Sequence, residues 1–204
     1  MVNLAMKRSV QLLTFWVLAM MSLLVANAQV KLEIVKASSQ AYPIALVDQA
    51  TNDHRFLEVI KSDLHRSGRF LPKTDREVPE LASSVSQVNS EVWRSAGVNL
   101  LVNINPKGGM IQVDVGDTFT KSVWGSRQFQ YLSDGRGQRR LAHQVADFIY
   151  EVGLGVPGSF NSKVAYVSRS NRGFALIVAD ADGAYPQTIL ESREPILSPT
   201  WSPD

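Results

Sequence analysis

No helical periodicity appears in this chain after Val152, and that break constrains the fold more than any other feature. Before it, apolar residues recur with a period near 3.6 in some segments and 2 in others. After it, "KVAYVS", "FALIVADADG" and "PQTIL" read as three strands joined by Asn-Arg-Gly and Asp-Gly turns. The chain then runs into "ILSPTWSPD", residues 196–204, the end of one strand unit and a Ser-Pro turn aimed at another strand. "GLGVPGSFNS", residues 153–162, is the natural boundary, so a small all-β unit follows a different kind of domain.

That first domain mixes elements. "PIALV", residues 43–47, is a continuous apolar run suited to a strand buried on both faces. Residues 54–67 should be a helix, capped by Thr51, Asn52 or Asp53, with Phe56, Leu57, Ile60 and Leu64 on one face and Gly68 at its end. "RFL" is a short strand, and 72–90 a loop rich in Pro, Ser and Glu. Val92, Trp93 and Ala96 mark a short helix ending at Gly97. "VNLLVNI", "MIQVDV" and the stretch from Phe119 to Tyr131 form an antiparallel meander, with Pro106 to Gly109 as its first turn. The last helix carries Leu141, Val145, Phe148, Ile149 and Val152 on one stripe, with Gly153 as the expected stop. Intermixed strands and helices predict one compact α/β domain with a mixed sheet.

At the N-terminus, Lys7 and Arg8 precede an apolar run from Leu12 to Val25, and Ala26-Asn27-Ala28 follows with small residues. The run is about 14 residues, short of the roughly 20 that span a bilayer, so it reads as a signal peptide cleaved after Ala28. No later stretch is apolar enough to span a membrane. Removing 28 of 204 residues leaves 176, and losing Lys7 and Arg8 from 21 basic residues leaves 19 against 19 acidic ones. A neutral mature chain gives no support for nucleic-acid binding. Its densest basic cluster, Arg136, Arg139 and Arg140, fits a solvated helix start. With no cysteine, an exported chain can use neither disulfides nor thiolate-bound metal. Residues 30–35, "VKLEIV", form an alternating strand with Val30, Leu32 and Ile34 on one side, and "KASSQAY" follows as a linker.

Signals for chemistry are weak. His143 lies about 200° round the last helix from Leu141 at 100° per residue, which predicts a solvent-facing side chain with Asp147 one turn on. His54 and His65 sit near the ends of the first helix, and no histidine pair has metal-ligand spacing. There is no Gly-x-Ser-x-Gly elbow. "DADG", residues 180–183, places Tyr185 where a calcium loop needs glycine, so it reads as a hairpin turn. "GDTF" (116–119) and "GRG" (135–137) read as turns rather than phosphate cradles. Trp93 and Trp201 are expected to pack, and Trp124 has no assigned role. The residues thus point to no catalytic, metal or cofactor site.

"KVAYVSRSNRGFALIVADADGAYPQTILESREPILSPTWSPD" resembles a β-propeller repeat, in which Trp-Ser-Pro-Asp opens the next blade. Together with "VKLEI" and "VIKSDLHRSGRF", it resembles the N-terminal part of the TolB family, periplasmic components of the Tol–Pal system. Residues 72–135 match loosely, and Val47-Asp48 stands where the family often has Pro-Phe. The resemblance implies an α/β fold, with a mixed-sheet α/β domain followed by an incomplete β-propeller of about one blade. Its expected parts are a signal peptide at 1–28, a strand and linker at 29–40, the N-terminal domain at 41–157 and the first blade at 158–204. Six blades are usual in the family, so the chain reads as a piece of a longer protein. The implied function is a non-enzymatic periplasmic scaffold that serves outer-membrane integrity, draws that membrane inward at cell division, and takes part in the cell cycle and protein import. By resemblance, Val30, Lys31, Leu32, Glu33 and Ile34 would bind TolA, and the propeller, largely missing here, would bind Pal. No nucleic acid or cofactor is implied. The alternative is the front of a propeller-bearing secreted serine peptidase, whose repeats also use "WSPD"; a signal peptide followed directly by an α/β domain argues against it.

Overall fold

The computed structural model describes residues 41–51, 53–74, 76–79, 82–132 and 134–202. The expected signal peptide, its cleavage site and the segment Val30 to Ile34 lie outside the described residues. Residues 39–204 cluster as one compact unit.

Two sheets are present. The first has the order β2-β1-β3-β4-β5, from strands β1 (Tyr42–Asp48), β2 (Phe70–Pro72), β3 (Leu100–Lys107), β4 (Met110–Asp117) and β5 (Ser122–Gln130). β1 pairs in parallel with β2 and β3, while β3-β4-β5 is antiparallel, so the sheet is mixed as expected. β1 and β2 are joined through helix α1 (His54–Arg66), which supplies the crossover that parallel pairing needs. The continuous apolar run of β1 is explained by cover on both faces. Ile44 and Leu46 enter one core with α1 and with α3 (Gly135–Leu154), whereas Ala45 and Val47 enter a second core around Trp93 and Val85. β3 divides in the same way, with Leu100, Val102 and Ile104 on one side and Leu101 on the other. Trp93, on the short helix α2 (Ser90–Ser95), is fully buried, so its expected packing role holds.

α1 begins where Asp53 accepts a hydrogen bond from the Arg55 amide (2.9 Å), and it ends before Gly68 in a left-handed turn. α3 departs from expectation at both ends. Gly135 to Gly137, read as a turn, form its first helical turn, with Asp134 accepting from the Gly137 amide at 2.7 Å. Gly153 does not stop the helix: it lies inside, where a Cβ would stand 2.9 Å from the Phe70 ring. Gly155, at φ 72°, is the left-handed stop. Both glycines suit a terminus, and only the packing of Phe70 separates their roles. Among the described residues, no helix is long and apolar enough to cross a membrane.

The second sheet is β6-β7-β8, an antiparallel meander of Lys163–Ser170, Gly173–Asp180 and Gln187–Ser192. Its three strands match the three read from the sequence. The segment before it is anchored: Phe160 stacks edge-on against Tyr150 at 5.5 Å, and Asp147 accepts from the amides of Phe160 (2.7 Å) and Asn161 (3.1 Å). The sheet buries little. Ile189, Leu190 and Val164 are exposed. Trp201, expected to pack, is 61 % exposed, because the described residues offer its turn no further strand to cover it.

Candidate functional site

The polar side of α3 is part seam and part solvent face, with Arg136 and Arg140 exposed as the sequence led one to expect and His143 buried. At 100° per residue, Arg136, Arg139, Arg140, His143 and Asp147 fall within an arc of about 100°, opposite the stripe of Leu141 and Val145. The loop between β7 and β8 lies against this arc. Asp182 in that loop pairs with Arg139, and the Arg136 guanidinium sits 5.1 Å above the Tyr185 ring.

His143 is the main correction to the sequence reading. It is 2 % exposed, not solvent-facing, and its Nδ1 lies 2.5 Å from Asp63 Oδ2 on α1. The physical reason is a second partner surface. Ala142 and Ala146 are small and fully buried, which lets α1 approach closely, and His143 lies only about 60° round the helix from Ala146. The i, i+4 alanine pair beside the histidine was the available signal. Asp63 shows the same effect on α1, three residues after Ile60 and fully buried. Arg66 holds its other oxygen at 2.5 Å. A buried carboxylate without such partners would be strongly disfavoured, so a polar bridge that satisfies Asp63 ties α1 to α3 inside an apolar interface.

His143 Nε2 points the other way, 3.7 Å from Asp182 Oδ2, too far for a hydrogen bond. Asp182 is occupied elsewhere, by Arg139 and by the Ala184 amide at 3.0 Å. Burial pushes its carboxyl up, but the Ala184 hydrogen bond and the charges of Arg139 and His143 outweigh this and hold it below the ordinary carboxylate range. His54 and His65 are exposed at the ends of α1, as expected. Trp124 is half exposed on β5 beside Gly125, and no role follows from its position.

Asp63, His143 and Asp182 each offer one ligand atom within 4.8 Å of the others, a grouping that sequence spacing did not reveal. Charge and geometry both oppose a metal there. Arg66 and Arg139 already neutralise the two carboxylates, and the imidazole meets them through opposite nitrogens, so one ion cannot keep both contacts. Beside this cluster, a cleft of about 200 Å³ opens between α3 and the start of β6.

The family model described as the TolB amino-terminal domain matches residues 30–123. Among curated proteins, the chain is 39 % identical to the Tol-Pal system protein TolB of Thioalkalivibrio sulfidiphilus, over 88 % of this chain and 44 % of that protein. It is 37 % identical to the protein of the same name from Bordetella pertussis, over 91 % of this chain and 43 % of that one. The crystal structure of TolB from Acinetobacter baumannii superposes with a TM-score of 0.67 at 30 % identity, covering 79 % of this chain and 41 % of that chain. The chain therefore spans less than half the length of the relatives it matches.

Proposed function

Because the chain belongs to the TolB family, we propose that it is a non-enzymatic scaffold of the Tol–Pal system in the periplasm. The observation that carries this reading is similarity over 88 % of the chain to a curated Tol-Pal system protein TolB. The two-sheet architecture, shared with a TolB crystal structure, supports it. Nothing in these relatives' names favours the peptidase alternative.

In this reading the chain is exported and loses residues 1–28. Residues 41–157 serve as the N-terminal domain and 158–204 as the first blade of a propeller that contacts Pal. Val30, Lys31, Leu32, Glu33 and Ile34 bind TolA. The family match begins at residue 30 and so includes this segment. Its period of two would let Val30, Leu32 and Ile34 enter one face of a partner sheet as an added strand, with main-chain hydrogen bonds providing affinity and side chains the register. Linking TolA to Pal would then serve outer-membrane integrity and its invagination at division.

The test is capture of the chain by the C-terminal domain of TolA. Replacing Leu32 and Ile34 by Asp should abolish capture while the circular dichroism and unfolding midpoint of the chain stay as they were. Unchanged affinity in the double variant would remove the segment from the binding role.

A further inference from the structure

The cleft against α3 has an unbalanced charge and an unused buried nitrogen. Its lining carries three cations, Arg136, Arg140 and Lys163, and one acid, Asp180, which Lys163 already pairs. Among the described residues, Arg140 has no acidic partner, and Arg136 is held only over an aromatic ring. His143 also lines the cleft. It is 2 % exposed, and its Nε2 is buried without a hydrogen-bond partner, with Asp182 Oδ2, itself paired with Arg139, 3.7 Å away. Arg139 Nε, nearby on the same helix face, is a second buried donor in that condition. Buried polar groups without partners are rare in folded proteins, and each one calls for an explanation. Here the unused groups are donors or potential donors beside uncompensated positive charge, which is the complement of an anion.

We infer that this cleft binds a small oxyanion, a phosphate or carboxylate group, held by the Arg136 and Arg140 guanidiniums and by N–H from His143 Nε2. Guanidinium matches the paired oxygens of either group, and a charge-assisted bond in a sheltered cleft is stronger than its exposed counterpart. The volume suits a single headgroup rather than a polymer. Donation from both ring nitrogens requires the imidazolium, because Nδ1–H already donates to the Asp63 carboxylate. Asp63 and Asp182 meet the ring through its two nitrogens, Arg66 and Arg139 pair with those carboxylates, and Arg136, Arg140, Lys163, Asp180 and Tyr185 line the cleft with it.

The experiment uses the full chain and follows the His143 ring by NMR during parallel titrations with inorganic phosphate and with succinate. One of the two should give a saturable shift, which names the headgroup. Arg140→Glu should weaken binding by at least about tenfold, the loss expected for one charge-assisted contact, without moving the unfolding midpoint, because Arg140 is exposed. Lys107→Glu, an equal change in net charge at a residue outside the cleft lining, should leave affinity unaltered. Absence of a saturable shift with either anion, or equal weakening by Arg140→Glu and Lys107→Glu, overturns the assignment.

Discussion

Asp63 and His143 join two helices through a contact that no apolar pair could imitate, since each needs the other's charge or hydrogen bond once buried. Removing one member of a buried, hydrogen-bonded pair typically costs about 3–5 kcal/mol, because the remaining partners stay desolvated. Asp63→Ala should therefore lower the unfolding free energy by about 3 kcal/mol in a urea titration, with His143 and Arg66 both left without their carboxylate. His65→Ala, two residues along and exposed, should stay within about 0.5 kcal/mol. A small effect at Asp63 would show that the bridge contributes nothing beyond packing. Asp182 allows a test of sign. Its carboxyl is held low in the folded chain, so its contribution is complete above the unfolded value near ~3.9 and is lost as pH falls through the lower folded value. Asp182→Asn should be less stable than the parent by a constant margin at neutral pH, and that margin should shrink on acidification below the ordinary carboxylate range. A margin that widens with acid would contradict the assignment.

At the scale of elements, the two sheets differ in what covers them. β1 and β3 are covered on both faces, while β6, β7 and β8 are largely half-exposed or open, with Ala179 their one fully buried apolar residue among those described. Backbone amides open locally where few apolar contacts hold them. Hydrogen exchange should accordingly be slow for Leu101 to Ile104 and Val113 to Val115, and faster across Lys163 to Leu190. Equal protection in both regions would be incompatible with this account. The anchoring of Phe160 on Tyr150 and of its amide on Asp147 should give residues 160 and 161 intermediate protection, since these contacts belong to the first core rather than the second sheet.

For the molecule as a whole, the seam between α3 and the β7–β8 loop is polar: Arg139 with Asp182, His143 near it, and Arg136 over Tyr185. Contacts of this kind depend on geometry more than on buried area, and polar seams are common where two parts of one chain meet. The proposed N-terminal segment adds a function that depends on processing, because Gln29 must become the first residue for Val30 to Ile34 to lie at a free end. N-terminal sequencing of the exported chain should begin at Gln29; recovery of Met1 would place the segment behind an apolar leader and remove that arrangement.

Local pattern was enough for the parts of this chain whose environment follows from neighbours in sequence. The two-sided burial of residues 43–47, the cap at Asp53, the meander of β3 to β5 and the loss of helix after the α3 stop could all be read from period and turn chemistry. The family, too, was legible in short motifs and their order. The candidate site was not. His143 and Asp63 are 80 residues apart, and Asp182 comes from a different sheet. On one helix alone, a histidine opposite the apolar stripe reads as facing water, and the small pair Ala142 and Ala146 beside it was the one local hint otherwise. Helical periodicity defines one buried face, whereas α3 meets the sheet, α1 and the β7–β8 loop. Which polar residues became interior was decided by those later contacts, because burial is a property of the assembled elements and not of any one of them.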